Sequence, residues 1–142
     1  MPKPSKIRIP QAYIRFSSRT DVVLTKDLNI YFDNLKFTIK KGYKTDGASI
    51  PHFLWSIAGS PFQGDTLTPA IFHDICYESE YYSRAVADNN FLFLMRSNDV
   101  RWLKRTTYYL MVRLFGLLAQ SRHTVGSVET ARQYLLIKRT VI

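Results

Sequence analysis

The run Thr68-Pro69-Ala70-Ile71-Phe72-His73-Asp74-Ile75-Cys76-Tyr77 sets an adjacent His-Asp pair in otherwise apolar surroundings. On a helix, positions four apart share a face, so His73 and Tyr77 stand side by side, while Asp74 points about 100° away from His73. Each member of the pair therefore reaches a different neighbour. An imidazole of near-neutral pKa facing a water or hydroxyl is the base of a hydrolytic reaction, and the carboxylate beside it binds a cation or braces a loop. The same pair also serves as a buried hydrogen-bonding network with no chemistry attached. Accessibility separates the two readings. A base needs one ring nitrogen open to water; a sealed ring with both nitrogens satisfied is structural.

Two other segments are arranged with this one. Asp88 follows Ser83-Arg84-Ala85-Val86-Ala87 on a segment expected to fold back antiparallel, where it approaches His73 and fixes its tautomer; its alternative partner is Arg84, one turn earlier. Tyr77 anchors Asp88 or a substrate, or belongs to the core. Upstream, Lys44-Thr45-Asp46-Gly47-Ala48-Ser49-Ile50-Pro51 joins strand-like to helix-like sequence. Ser49 is either a helix cap or a nucleophile with His73 as its base, although it lacks the Gly-x-Ser-x-Gly setting of a nucleophile elbow. Asp46 either folds back on its own backbone or joins Asp74 as a ligand to a hard divalent cation such as calcium, completed by carbonyls and waters. No cofactor is otherwise indicated. His52, His73 and His123 lack zinc-ligand spacing, one Cys cannot build a structural zinc site, and no Gly-rich phosphate loop is present.

The elements that must position these groups can be read from periodicity. Short β-branched and aromatic runs at Ile7/Ile9, Tyr13–Phe16, Val22–Leu24, Ile30–Phe32 and Phe37–Ile39 predict an antiparallel sheet of three to five strands, with a hairpin turn at Asp33-Asn34. Helices follow. Ser49 and Pro51 open a short one over 52–58 that Gly59 ends. Thr68 caps one running to about Tyr81, with Pro69 in its first turn. Ser83 caps the next, to about Arg96. Asp99 caps a long helix from Val100 to about Gln120, with an apolar stripe of Leu103, Thr107, Leu110, Leu114, Leu117 and Leu118 expected to face the core. Ser127 caps a last one, Val128 to about Lys138. The fold class is thus α+β: a flexible basic arm over 1–6, then one domain, β-rich over 7–45 and α-rich over 49–142, with about four helices bundled behind the sheet.

The chain of 142 residues carries a net charge of +9, which draws nucleic acid, anionic membrane, acidic glycans or acidic proteins without choosing among them. Arg101, Lys104 and Arg105 share a face and suit non-specific phosphate contact, with no motif for reading sequence. The lone Cys76 excludes an intrachain disulfide and favours a reducing compartment. The opening Met1–Lys6 is basic but has no apolar core of signal-peptide length, and the longest apolar stretch, Tyr108 to Ala119, is too short for a membrane span. A soluble protein is expected.

Phe37–Pro51, Trp55, Ala70–Tyr77, Arg84 and Ala87-Asp88-Asn89-Asn90-Phe91, in this order and spacing, resemble a family of small bacterial and tailed-phage proteins known as domain of unknown function 1353. The resemblance extends from about Ile30 to Gly116. It implies a phage or prophage protein made in the host cytoplasm and a place among virion-associated or host-interacting proteins. Phage virion proteins or cell-envelope components are then its expected partners. A second resemblance is local: His73-Asp74-Ile75-Cys76-Tyr77 is similar to the His-Asp-x-Cys-Tyr helix of secreted calcium-dependent phospholipases of the A-two class. It implies His73 as the base that activates water, Asp74 as calcium ligand and Asp88 as orienter, although those enzymes are rich in disulfides and have a Gly-rich calcium loop. Taken together, the leading expectation is a His73/Asp74/Asp88 hydrolase-like site acting on an ester or amide of lipid or cell envelope. The alternatives are a non-enzymatic phage protein with a structural His-Asp cluster and a basic nucleic-acid binder.

Overall fold

A computed structural model describes residues 9–32, 34–47 and 50–140. The expected basic arm, Ile7 and the cap at Ser49 lie outside the described residues, as does Asp33 of the expected turn. Among the described residues the architecture is α+β, with six strands in two antiparallel sheets and five α-helices. One sheet has the order β1-β2-β5, from Ile14–Phe16, Val22–Leu24 and Lys44–Thr45; the other is β3-β4-β6, from Leu28–Phe32, Leu35–Ile39 and Leu135–Arg139.

Alternation explains the second sheet. Leu28 and Ile30 on β3 and Phe37 and Ile39 on β4 point inward, and the register pairs Leu28 with Ile39 and Ile30 with Phe37. Asn34 takes a left-handed backbone, φ 60°, supplying the tight turn without a glycine. The last strand departs from the expected helix over 128–138. The helix α5 covers only Val125–Gln133, and Leu135–Arg139 then pairs with β4. Alternating Leu135 and Ile137 fit the sheet's half-buried face, a period of two that a helix cannot use. The cap also moves: Thr124 accepts from Ser127 N–H while the Ser127 hydroxyl accepts from Thr124 N–H, a reciprocal capping box.

Helix α2, Leu67–Glu78, lies at the centre, with every residue from Leu67 to Tyr77 buried. A helix apolar nearly all round has no solvent face, so its polar members must find protein partners. Phe72 packs edge-on against Phe37 of the sheet at 5.0 Å between ring centres, and α3, Arg84–Ser97, covers the opposite side. Thr68 is not the cap. Its hydroxyl donates to Pro10 O at 2.8 Å and accepts from Ala12 N–H at 3.0 Å, tying the incoming segment to the helix, which itself starts from a 3-10 turn at Gly64–Thr66 and ends at Glu78. Ser83 does cap α3, accepting from Val86 N–H. The short helix α1, Trp55–Ala58, follows a 3-10 turn over His52–Leu54 and ends at Gly59, whose φ of 88° suits glycine.

Helix α4, Trp102–Ser121, reverses one expectation. Asp99 does not cap it but takes a left-handed turn at φ 57°, and Arg101 stands at its start with no side-chain cap. The face turned to the core is Tyr108, Val112, Gly116 and Ala119. The leucine stripe expected inside is exposed: Leu103, Leu110, Leu114, Leu117 and Leu118 are each more than half accessible. The helix carries two apolar arcs, and the core uses the one with Tyr108, whose hydroxyl donates to Gly59 O at 2.7 Å. Gly116 permits a close approach, since a Cβ there would stand 2.5 Å from the Tyr77 hydroxyl oxygen. Tyr77 is itself stacked on His73 at 5.2 Å, a contact it would have to give up to move away. Gly116→Ala therefore loses more by overpacking than the ~1 kcal/mol it gains in helix propensity, with a net loss of about 1–2 kcal/mol expected in urea unfolding and recovery by added Tyr77→Phe.

Candidate functional site

His73 is sealed, only 2% exposed. Its Nε2 lies 2.8 Å from Asp88 Oδ1 and its Nδ1 3.6 Å from Asp74 Oδ1, so the ring is held between two carboxylates. Burial by itself lowers the imidazole pKa; hydrogen bonds to Asp74 and Asp88, together with their charges, outweigh it and raise the value above the ordinary range. The charged form donates from both nitrogens. Tyr77 and Phe91 cover the ring faces at 5.2 and 4.8 Å. Asp88, fully buried, gives its second oxygen to Arg113 Nη1 at 3.0 Å. Arg84, the alternative partner, instead donates to Arg113 O at 2.9 Å.

On its other side Asp74 leaves this buried chain and reaches a cavity. Its Oδ2 accepts from the Thr45 hydroxyl at 3.0 Å, which braces the strand-to-helix connection as the sequence suggests. The cavity, about 660 Å³, is lined by the acidic Asp21, Asp46, Asp74 and Glu78, by the basic Lys44, Arg122 and His123, and by the aromatic Tyr43, Tyr77 and Tyr134. His73, Asp74, Tyr77, Asp88 and Asp46, expected together from the sequence, do lie together, but the role of base expected of His73 is not met, because its ring is sealed with a carboxylate at each nitrogen. Sequence reading missed Glu78, although four residues after Asp74 on one helix is the spacing that puts two carboxyls on one face. Arg113 was missed as well, having no local signal.

Glu78 is the unusual group. Its Oε2 accepts from the Tyr43 hydroxyl at 2.9 Å, and its Oε1 lies 3.4 Å from the Thr45 hydroxyl. Burial raises its pKa to about 8, with the charges of Asp74 and Asp46 adding to the rise and the Tyr43 and Thr45 hydroxyls opposing it. Thr45 Oγ1 also accepts from Gly47 N–H at 3.2 Å. A single hydroxyl proton cannot serve two carboxylates, so the consistent arrangement has neutral Glu78 donating to Thr45 and Thr45 donating to Asp74. Burial and the neighbouring Asp74 and Glu78 charges push the Tyr43 phenol upward as well. Tyr77 is raised to about 12, by burial first and then by the Asp88 charge, against the opposing pull of Arg84.

Among the described residues no group of three or more His, Cys, Asp or Glu side chains is disposed to hold a metal ion. Asp46 and Asp74 share the cavity wall. Cys76 is buried and its thiol is pushed upward by burial, an unreactive group. Of the basic trio, Lys104 is paired with Asp65 at 2.9 Å, Arg105 donates to Val100 O at 3.0 Å, and Arg101 is exposed. No described helix is long and apolar enough to cross a membrane.

The family model for a protein of unknown function, DUF1353, matches residues 22–112. The chain belongs to the DUF1353 family. The matched segment holds Thr45, Asp46, His73, Asp74, Glu78 and Asp88. A relative described as uncharacterized protein y4jT, from Sinorhizobium fredii (strain NBRC 101917 / NGR234), is 36% identical over 84 residues. That alignment covers 59% of this chain and 25% of the relative, so the chain spans about a quarter of the relative's length. No solved structure matches the chain.

Proposed function

We propose that this DUF1353 protein is a hydrolase whose working groups are Glu78 and Asp74, with His73 as a positioning residue. One observation carries the reading: two carboxyl groups on one face of α2 front a single cavity, and burial keeps Glu78 neutral up to about pH 8. Paired carboxyls with separated pKa values are how an acid and a base coexist at neutral pH. Glu78 gives its proton to the leaving group as that bond breaks. Asp74 takes a proton from the water whose oxygen forms the new bond. The Thr45 hydroxyl, which touches both carboxyls, then returns the proton from Asp74 to Glu78. Asp88 and Arg113 hold the charged His73, and His73 holds Asp74 in place.

The bond is one whose leaving group needs a proton, an ester, amide or glycosidic link of a cell-envelope polymer. The tyrosine walls offer stacking surfaces, while Arg122 at the cavity and the net charge of +9 draw in an acidic substrate. The family resemblance to tailed-phage proteins favours an envelope target encountered during infection. The experiment is release of soluble fragments from purified cell-envelope material and of acid from phospholipid vesicles, with wild type, Glu78→Gln and Asp74→Asn compared across pH. Activity is expected to fall as pH rises through about 8, where Glu78 loses its proton, and both variants are expected to lose at least ~100-fold. Equal rates in wild type and Glu78→Gln would sink the proposal.

A second reading is favoured by the sealing of His73. Asp74, His73 and Asp88 then act only as a lock between α2, α3 and the Thr45 loop, in a virion-associated or host-interacting phage protein without catalysis. Non-specific polyanion contact rests on Arg101, the member of the basic trio that makes neither of the two ties back to the protein.

A further inference from the structure

The exposed arc of α4 has a stricter pattern than scattered surface leucines. Leu103, Thr107, Leu110, Leu114, Leu117 and Ser121 follow one another at steps of four, three, four, three and four, the heptad spacing of a seam that packs against another helix. Leu114 is 72% exposed and Leu103 71%, while Tyr108, Val112 and Ala119 on the opposite arc are buried in the chain's own core. The five exposed leucines, with Leu118 beside the seam, present on the order of 600 Å² of apolar surface. That is the top of the range for a monomer's largest patch and close to the ~800 Å² per partner of a stable pair, before Trp102 at the end of the helix is added.

We infer that this face is the interface of a two-fold homodimer in which α4 packs antiparallel against α4 of a second copy of the chain. A seam that repeats every 3.5 residues is narrow and self-complementary, as an isologous contact requires. Centred between Leu110 and Leu114, the antiparallel register sets Leu110 against Leu114 of the other copy, Thr107 against Leu117, and Leu103 against Ser121. Every seam position then meets a seam position. Direction follows from charge. The helix has no acidic side chain, and its basic residues Arg101, Lys104 and Arg105 gather at the N-terminal end. A parallel pair would place these three-residue clusters together, whereas the antiparallel pair sets each against the partner's helix C-terminus, where the last carbonyls favour cations and a single arginine, Arg122, already stands. The like charges that meet near the centre are the two Arg113 side chains, each already neutralised by its own Asp88 at 3.0 Å.

The test is sedimentation equilibrium of the full chain over a micromolar concentration series. The wild type is expected at twice the chain mass. Leu114→Glu is expected to weaken association at least ~30-fold while keeping the wild-type circular dichroism and the urea midpoint that wild type shows when diluted to monomer, because Leu114 makes little contact within its own chain. A Thr107→Cys/Leu117→Cys double variant is expected to form disulfide-linked dimers on mild oxidation, with buried Cys76 left out. A wild type that stays monomeric at the highest concentration, or a Leu114→Glu variant that dimerises as well as wild type, overturns the proposal. So does cross-linking by Thr107→Cys alone, which would mean a parallel pair. Co-sedimentation of a monomer with anionic phosphatidylglycerol vesicles, lost in Leu114→Glu, would give the face to lipid instead and equally overturn the dimer.

Discussion

Glu78→Gln is expected to make the protein more stable at neutral pH while abolishing the hydrolysis proposed for it. In the unfolded chain a glutamate at this position ionises near 4.5, but in the folded state it holds its proton to about pH 8. A group whose folded pKa is raised stabilises fully below the unfolded value, and that contribution is lost as pH rises through the folded one. Between pH 4.5 and 8 the wild type should therefore lose about 1.4 kcal/mol per pH unit at this site. Gln cannot ionise, can donate to Thr45 as the neutral acid does, and can accept from Tyr43. The variant is expected to be more stable by on the order of 3 kcal/mol at pH 7, with no difference near pH 4. His73 works in the same direction, its contribution complete below its unfolded pKa and fading as pH rises through the raised folded value. A pH series of urea unfolding curves on the two proteins checks the point. Coincident curves at pH 7 would mean that Glu78 ionises normally and that the acid assigned to the reaction does not exist.

The opposite result is expected for Asp88→Asn. Asp88 is fully buried and compensates both the His73 imidazolium and the Arg113 guanidinium. Removing one partner of a buried ion pair leaves uncompensated charge in a medium that cannot solvate it, which costs about 3–5 kcal/mol. Arg113 is one-third exposed, so water absorbs part of its loss; most of the cost falls on His73, which must give up its proton. The expected signature is a large drop in the urea midpoint together with an imidazole that titrates lower by NMR. Arg113→Met should cost less than Asp88→Asn for the same reason of exposure. A double His73→Leu/Asp88→Leu variant should recover only part of the loss: it removes the buried imidazole along with Asp88 but still leaves Arg113 without that carboxylate. If Asp88→Asn unfolds at the wild-type midpoint, the ion pair is not what holds α2 to α3.

Legibility from sequence followed the range of the interactions. The convergence of His73 and Asp88 could be read because α2 and α3 are joined by a short turn with Ser83 as a true cap, which leaves antiparallel packing as the simple outcome. That Asp74 reaches a different neighbour from His73 followed from helical geometry alone; that this neighbour is Thr45 did not. The α+β class came from short alternating runs giving way to longer helical ones. What was missed depended on distant partners. Glu78 looked like a surface residue at a helix end until the Tyr43 and Thr45 hydroxyls of another element closed over it. In α4 both arcs are apolar, and periodicity cannot tell which one the core will take; Tyr108 decides it by reaching Ala58 and Gly59 carbonyls some fifty positions away in sequence. Leu135–Arg139 reads as a helix tail because its strand partner lies at the other end of the chain.

That last strand has a consequence for how the molecule comes together. Without β6, β4 would be an open edge whose Phe37 and Ile39 sit beside unpaired amides and carbonyls, the kind of surface that recruits other chains. As the chain leaves a ribosome, β3 and β4 emerge early and pair with each other, but the edge stays open until nearly a hundred more residues have been made. During that interval the edge is exposed to pairing with other chains, and Lys36 within the strand and Lys40 just after it are its charged guards.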